Sequence, residues 1–206
     1  QAAAETVKKV AGAIEVPLVV LGTGNVEKDA EVLRTVAEAC DGCALTLGPV
    51  QDKNYKQIGA AALGYGHTVI ANSPIDVNLA KQLNILLGNL GVPDNRILVD
   101  PTTGGLVYGM EYTYSVMERD RMAALTQEDE KLQLPIFNYV GQEVWKVKEC
   151  KLSAAEAPQL GDPEKRGILM EAVTAVGLLL AGADLLVMRH PEAVKLIKSL
   201  IKELAG

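Results

Sequence analysis

The chain has 206 residues, of which 49% are hydrophobic and 22% charged, a balance that excludes disorder and predicts one packed domain rather than two. Its formal net charge of −6 argues against nucleic acid or an anionic membrane as a partner, since both need a positive field. No apolar run reaches the ~20 residues of a membrane span, and three cysteines are too few for a disulfide framework, so we expect a soluble, cytoplasmic protein.

Apolar runs alternate with amphipathic stretches along the chain, a pattern that predicts βα units around a parallel sheet. The opening stretch, at 2–13, is predicted to be a helix. Strands are then predicted at 17–22, 44–48, 67–72, 96–100, 134–139 and 184–188, and further helices at 26–39, 54–63, 74–90, 110–126, 167–181 and 191–204. The stretch 151–161 is interpreted as a surface loop inside the domain.

Two helix starts have strong local signals. Ser73 precedes Pro74 and Asp76, and Asp162 precedes Pro163. In each case a side-chain oxygen is available to cap the first free N–H groups, and the proline suits the first helical position. We therefore expect Ser73 and Asp162 to act as N-caps.

Cys40 and Cys43 form a CxxC pair. The pair follows the end of a predicted helix, where the helix dipole disfavours a thiolate, and Gly42 is typical of a helix stop. An iron–sulfur cluster needs four ligands, and Cys150 is the only other cysteine. We interpret the pair as structural and expect neither a metal site nor a cluster in this chain.

Six strands with intervening helices fit either an open doubly wound sheet or a TIM (β/α)8 barrel. Eight strands usually take ~250 residues, more than this chain has. The chain also opens at Gln1, without an initiator Met. We expect residues 1–206 to form a single TIM-barrel domain that is truncated at its N-terminus, with strands 3 to 8 present and the first two βα units absent.

In both folds the functional loops follow the carboxyl ends of the strands. These loops lie at 22–25, 48–51, 72–74, 100–105, 138–141 and 189–191, and all of them are polar or rich in glycine. Such a composition suits a binding rim, but any strand-end loop needs polar groups to satisfy its backbone. The pattern alone predicts a rim without a catalytic constellation.

Several of these loops admit two interpretations. Gly22 and Gly24 suggest a dinucleotide loop, but Glu27 stands where the third glycine is needed. His190 beside Arg189 could act as an acid next to an anion clamp, or simply neighbour a helix start. His67 begins a strand, at the end of the sheet that is associated with stability, and is interpreted as structural.

Six of the eight aromatic residues fall between Tyr108 and Trp145. Rings with polar tips beside small residues suit a large planar ligand or a partner surface. The alternative is that Met110 and Tyr112 pack a helix onto the sheet, as aromatic residues on amphipathic helices often do.

Residues 100–119, DPTTGGLVYGMEYTYSVMER, closely resemble the signature of the small (delta) subunits of corrinoid iron–sulfur proteins, which belong to the acetyl-CoA decarbonylase/synthase system. The stretches 22–29, 73–84, 141–145 and 187–192, which read GTGNVEKD, SPIDVNLAKQLN, GQEVW and VMRHPE, resemble the same family in the same order. Together these motifs span essentially the whole chain.

The resemblance implies a TIM barrel with a further N-terminal portion that holds the first two strands. It implies a non-catalytic or co-catalytic subunit of a methyl carrier, which passes a methyl group from methyltetrahydrofolate or its pterin analogue to acetyl-CoA synthase. The implied partners are a large (gamma) subunit with the iron–sulfur cluster, a methyltransferase, and acetyl-CoA synthase/CO dehydrogenase. The implied cofactor is a corrinoid (cobalamin) shared with the large subunit, over the barrel mouth, where its contacts would be Gly22, Thr23, Gly24, Asn25, Asn72, Asp100, Thr102, Thr103, Gly104, Gly105, Asn138, Arg189 and His190.

Two positions depart from the family pattern. Val107 stands where relatives commonly have glycine, and Asp120 stands where an apolar residue is more usual. The alternative function is a stand-alone pterin-dependent methyltransferase, in which Asn72 and Asp100 would bind the pterin. A barrel enzyme of sugar or acid metabolism would need a lysine or a carboxylate pair at the strand ends, and none is visible.

Overall fold

The structure, a computed structural model, describes residues 1–206 and divides the chain into two compact units. The first unit comprises Gln1–Asp100 and Ala123–Pro135, and the second comprises Pro101–Met122 and Ile136–Gly206. Helices and strands alternate in both. None of the helices combines the length and the apolarity needed to cross a lipid bilayer.

The first unit contains a parallel four-stranded sheet in the order β1-β2-β3-β4. Consecutive strands are neighbours and are joined by helices, as in a series of βα units. In the register, Val19 lies opposite Thr46, and Val69 lies opposite Ile97. The elements are α1 (Ala2–Ala11), β1 (Val19–Leu21), α2 (Val26–Ala39), β2 (Thr46–Val50), α3 (Tyr55–Gly64), β3 (Thr68–Asn72), α4 (Val77–Asn89) and β4 (Ile97–Asp100).

The core of the first unit lies between this sheet and its helices. Leu33, Ile58 and Leu83 come from three helices and pack with Val69 and Ile97 of two strands, and all five are buried. A second cluster joins α1 to the edge of the sheet through Ala4, Val36, Ala37, Leu45 and Leu47. Strands β2 and β3 are accordingly almost continuous in apolar residues.

The second unit is mainly helical, with a short parallel pair of strands. Phe137 of one strand lies opposite Leu185 of the other. Its core contains Met117, Ile136, Val144, Leu178 and Ile197. The elements are α5 (Met110–Thr126, whose residues from 123 onward count with the first unit), β5 (Phe137–Asn138), α6 (Val140–Trp145), α7 (Pro163–Leu180), β6 (Leu185–Leu186) and α8 (Pro191–Ala205).

The α/β class with parallel strands is therefore confirmed, and α2 and α5 have the predicted bounds. Five of the six strands are shorter than predicted, because the apolar runs continue into the adjoining loops, whereas β2 keeps the predicted length but begins two residues later, at Thr46. Helix α6 was not predicted, since six residues are too few to show a helical period. That the strands belong to an eight-stranded barrel without its first two units stays a prediction.

The two helix starts turn out differently. Asp162 caps α7 by accepting the Lys165 N–H at 2.9 Å, as predicted. Ser73 is not a cap: α4 begins only at Val77, and the carboxylate of Asp76 accepts its first free N–H groups. Ile75 adopts a φ of 51°, and this turn separates the buried Ser73 from the helix.

His67 has a structural role, as predicted. Its side chain is fully buried, with Nδ1 3.1 Å from the Leu45 backbone nitrogen and Nε2 2.9 Å from the Ala37 carbonyl oxygen. The imidazole therefore satisfies two backbone groups of the first unit, which would otherwise be buried without partners.

The stretch 151–161 is hydrogen-bonded to helix α7 within the second unit. The guanidinium of Arg166 donates to four carbonyl oxygens, including those of Leu152 at 3.1 Å and Gly161 at 2.8 Å. A planar guanidinium with five donors is suited to gathering backbone carbonyls in this way. This agrees with a loop that belongs to its domain rather than a linker.

Candidate functional site

Three polar side chains join the carboxyl ends of neighbouring strands in the first unit. Gln51 follows β2 and donates its amide N–H to Asn72 Oδ1 at 2.8 Å. Asn72, which ends β3, donates in turn to Asp100 Oδ2 at 2.9 Å. The structure thus brings two of the predicted residues together, Asn72 and Asp100, and adds Gln51. The array offers amide and carboxylate groups at one sheet end, the chemistry that hydrogen-bonds a polar heterocycle or an amide.

The loop that follows β1 is closed by a carboxylate of the same chain. Asp29 accepts the backbone N–H of Thr23 at 2.7 Å, its hydroxyl at 2.9 Å and the N–H of Gly24 at 2.8 Å. A Cβ on Gly22 would lie 2.5 Å from the carboxyl carbon of Asp29. The N–H groups that a dinucleotide phosphate would need are therefore already bound to a carboxylate.

Asn25, the last residue of this loop, is the N-cap of α2. Its side chain accepts the Lys28 N–H at 3.0 Å. A capping role of this kind accounts for the residue type without a ligand. Its contact with a cofactor stays a prediction.

In the second unit, Thr103 holds the end of β5. Its hydroxyl oxygen accepts the Tyr139 N–H at 2.9 Å and an amide N–H of Asn138 at 3.3 Å. Asn138 is fully buried, and its Oδ1 has no hydrogen-bond partner. A buried acceptor without a partner is costly, so Asn138 Oδ1 would gain a hydrogen bond if a donor were brought within reach of it.

The loop 102–109 folds back on the start of α5. The Thr113 hydroxyl donates to the Thr102 carbonyl at 2.9 Å and accepts the Gly104 N–H at 2.8 Å. A Cβ on Gly104 would lie 2.7 Å from the Met110 nitrogen, so this glycine accommodates the chain's own backbone. Gly105 pairs with Tyr108 and Gly109 across the loop.

Val107 lies at the tip of this loop. It has a φ of 60° and its side chain is 74% exposed. Backbone in this left-handed region favours glycine, so a valine here is strained. The valine side chain points to solvent, so it does not thicken the packed part of the loop.

A buried carboxylate organises the end of β6. Glu171 of α7 is fully buried and accepts the indole N–H of Trp145 at 2.6 Å. It also accepts the backbone N–H groups of Arg189 and His190, the latter at 3.1 Å. His190 is the N-cap of α8 and its Nδ1 accepts the Glu192 N–H at 3.2 Å, so the capping interpretation of His190 is the one the structure supports.

The aromatic residues do not form one cluster. Met110 packs against the core of the second unit, whereas Tyr112 is 62% exposed, so only half of the packing interpretation is confirmed. Tyr108 donates its hydroxyl to both carboxylate oxygens of Glu149, at 2.9 and 2.7 Å. This hydrogen bond raises the pKa of Tyr108 and lowers the pKa of Glu149.

The CxxC pair lies at a helix end, as predicted. Cys40 is the C-cap of α2, and burial is the main cause that raises the pKa of its thiol. Gly42 has a φ of 75°, the conformation expected of a helix stop. All three cysteines are free thiols, and no three or more His, Cys, Asp or Glu side chains lie together as metal ligands would.

Two of the residues that were missed share one property. Asp29 and Glu171 are acidic residues on the buried faces of amphipathic helices, where a charge is costly unless it is hydrogen-bonded. That anomaly is a signal visible in the sequence. Gln51 lies in the predicted loop 48–51, and Trp145 lies just beyond the predicted loop 138–141. Nothing in the sequence pairs them with Asn72 or Glu171.

Comparison with known proteins shows the family to which the chain belongs. Residues 1–203 match the model of the family described as "CO dehydrogenase/acetyl-CoA synthase delta subunit". The chain is 39% identical over 204 residues to the delta subunit of the acetyl-CoA decarbonylase/synthase complex of Methanopyrus kandleri, covering 98% of this chain and 50% of that protein. It is 36% identical over 211 residues to the Archaeoglobus fulgidus counterpart, covering 99% and 46%. The chain therefore spans about half the length of these relatives.

Among solved structures, the chain is similar to the dihydropteroate synthase of Yersinia pestis, solved with a pterin–sulfa conjugate. The TM-score is 0.65 at 16% identity, with 98% of this chain and 74% of that chain covered. The likeness is one of fold alone: the dihydropteroate synthase is a TIM barrel, and this chain shares its α/β arrangement with parallel strands.

Proposed function

Because the chain belongs to the CO dehydrogenase/acetyl-CoA synthase delta subunit family, we propose that it forms part of a subunit that covers and orients a corrinoid in a methyl-carrying assembly. The observation that carries the proposal is the match to the family model over residues 1–203. The chain would act with partners: a large subunit that carries the corrinoid and an iron–sulfur cluster, a pterin-dependent methyltransferase, and acetyl-CoA synthase/CO dehydrogenase. No catalytic residue of its own is required.

The residues of the second unit fit such a cofactor. A corrinoid carries amide side chains around its ring, and these both donate and accept hydrogen bonds. The unpartnered Oδ1 of Asn138 suits a donated N–H, and Thr103 fixes the orientation of this amide. When bound, the cobalt supplies the methyl-transfer chemistry, while the side chains of this chain bind and orient the group that carries it.

The backbone contributes less than the glycines suggest. Gly22 and Gly104 accommodate Asp29 and the start of α5, so neither leaves room for a ring to approach. Gly24 is different, because a Cβ there would meet nothing within 4 Å. We therefore assign recognition of the corrinoid to side chains of the second unit, chiefly Asn138.

The test uses the full-length protein purified with its corrinoid-bearing partner, and the visible spectrum of cobalt measures the corrinoid retained. Asn138→Ala removes the unpartnered acceptor and is expected to weaken retention by roughly 2- to 10-fold, the range of one net hydrogen bond. Asn89→Ala is the matched control, since Asn89 is an exposed residue of α4, and it should retain the cofactor. A folded Asn138→Ala variant with unchanged retention would refute the site, and a parent complex without corrinoid would refute the function.

A second candidate is a pterin-dependent methyltransferase, favoured by the hydrogen bond that joins Asn72 to Asp100. An amide and a carboxylate at a strand end suit the donors and acceptors of a pterin, and the fold is shared with a synthase solved with a pterin conjugate. Methyltetrahydrofolate binding by the isolated full-length protein separates the two candidates. Micromolar binding without a partner, lost in Asp100→Asn, would favour the methyltransferase and overturn the carrier subunit.

A further inference from the structure

A cavity of about 570 Å³ lies in the second unit, between the end of β5, helix α6 and the end of β6. We call it the Trp145 cavity. Its lining includes two aromatic side chains, Tyr139 and Trp145, and three cationic ones, Lys146, Lys151 and Arg189, with no carboxylate among the lining residues. In a chain with 26 acidic and 20 basic residues, a lining with three cations and no acid is unusual.

The three cationic side chains of the cavity are exposed, but the Trp145 side chain and the Arg189 backbone beneath them are held by a buried carboxylate. Glu171, which is fully buried, fixes both the indole N–H of Trp145 and the backbone N–H of Arg189. Gly141 allows the start of α6 to lie against the end of β6, because a Cβ there would lie 2.8 Å from the Arg189 nitrogen. The position of Arg189 is therefore set from the interior of the unit.

The cations of the cavity are only partly neutralised. Lys146 forms an ion pair with Glu143. Neither Lys151 nor Arg189 takes part in any of the ion pairs of the chain, so no acidic side chain lies within 4.0 Å of their charged nitrogens. The guanidinium of Arg189 instead lies over the indole ring of Trp145, 5.8 Å from its centroid. This cation–π contact holds the guanidinium in place while its N–H donors remain available.

We propose that the Trp145 cavity binds an oxyanion group of a ligand, with the guanidinium of Arg189 and the ammonium of Lys151 as its donors. Planar guanidinium groups bind phosphate and carboxylate through paired N–H donors, and a lysine adds a point charge. As far as a corrinoid is concerned, the inference rests on the proposed function: cobalamin carries one phosphodiester, on its nucleotide side chain. A free small phosphate is the other source of the same chemistry.

The first experiment uses inorganic phosphate as the probe and the full-length protein as the sample. Tryptophan fluorescence of the parent, minus that of the Trp145→Phe variant, isolates the response of Trp145. We expect a saturable change in the parent, weakened roughly tenfold or more in Arg189→Gln because a charge-assisted hydrogen bond is lost. Lys151→Gln should also weaken it, whereas Lys148→Gln, an exposed lysine of the same segment outside the cavity lining, should not.

The second experiment compares cobalamin with cobinamide, which has no phosphodiester, in the complex of the full-length protein with its corrinoid-bearing partner. Tighter retention of cobalamin, reduced to that of cobinamide in Lys151→Gln, identifies the corrinoid phosphodiester as the occupant. Equal retention of both, together with a phosphate response at Trp145, identifies a free anion as the occupant and leaves the site standing.

The failures can be told apart. If phosphate gives no response at Trp145 and cobalamin is not preferred, the oxyanion site is wrong, whatever the corrinoid does. If neither corrinoid is retained but phosphate still binds, the site stands and the proposed function fails. Lys151 is exposed in a loop, so its variant keeps the test valid even where Arg189→Gln does not fold.

Discussion

Asp120 provides the most direct test of the energetics of this fold. Its carboxyl group lies on α5 and is 1% exposed, and neither oxygen has a hydrogen-bond partner. Burial raises its pKa from 3.8 to about 6, although Arg121 and Arg119 oppose the shift. Desolvation therefore outweighs two neighbouring positive charges, as expected when a carboxylate loses water without gaining donors.

The shift translates into a dependence of stability on pH. Between pH 3.8 and about 6 the native state holds a proton on Asp120 that the unfolded state has lost, so the free energy of unfolding falls as the pH rises through this window. A difference of about 2 pKa units corresponds to roughly 3 kcal/mol at neutral pH. Asp120→Asn has no charge to desolvate and should lack this loss.

Urea titrations of the parent and the Asp120→Asn variant measure the difference, with the fluorescence of Trp145 as the probe. At about pH 7 the variant should be more stable than the parent by up to about 3 kcal/mol, and at about pH 4 this gain should largely vanish. Glu118→Gln, an exposed acid on the same helix, controls for the loss of a negative charge. A gain that is equal at both pH values, or that Glu118→Gln reproduces, would contradict the reasoning.

Two glycines give further predictions. In Gly167→Ala the new Cβ would lie 2.5 Å from Cζ3 of Trp145. We expect the free energy of unfolding, measured in urea, to fall by about 1–3 kcal/mol, as at other overpacked sites. The control is Gly64→Ala, whose new Cβ would meet nothing within 4 Å, and it should be neutral or stabilising. In Gly22→Ala the Cβ would displace the carboxylate of Asp29 from the loop it closes, so backbone amide exchange should quicken in residues 23–24, and unchanged exchange would show that the loop does not depend on Asp29.

The extent to which the fold could be predicted depended on the length of each element. Helices α2 and α5 have 14 and 17 residues, enough turns for the apolar period and the end signals to agree. Strands β5 and β6 have only two residues each, and their apolar runs cannot show where pairing stops. The N-cap of α4 was harder to predict than the element bounds, because Ser73 and Asp76 are both favourable N-cap residues and only the turn at Ile75 decides between them.

The sequence predicted which residues share a strand end, but not the hydrogen bonds that these residues make. Asn72 and Asp100 lie together because parallel strands bring their carboxyl ends to one edge, a consequence of topology alone. Glu171 contacts Arg189 from 18 residues away, and no spacing rule connects a helix interior with a strand end. Long-range partners of this kind depend on packing, which the sequence does not display.

The buried acids also change how the glycines of the strand-end loops should be interpreted. Glycine beside a binding rim suggests backbone that a ligand can approach, yet Asp29 already accepts the N–H groups of Thr23 and Gly24, and Glu171 those of Arg189 and His190. Backbone donors that are satisfied within the chain are not available to a ligand, but the loops they belong to are ordered before it binds, which lowers the entropic cost of recognition. For the anion site proposed at Arg189, discrimination then falls to side chains, so exchanging Arg189 should alter which ligand is held, whereas exchanging Glu171 should alter how well any ligand is held.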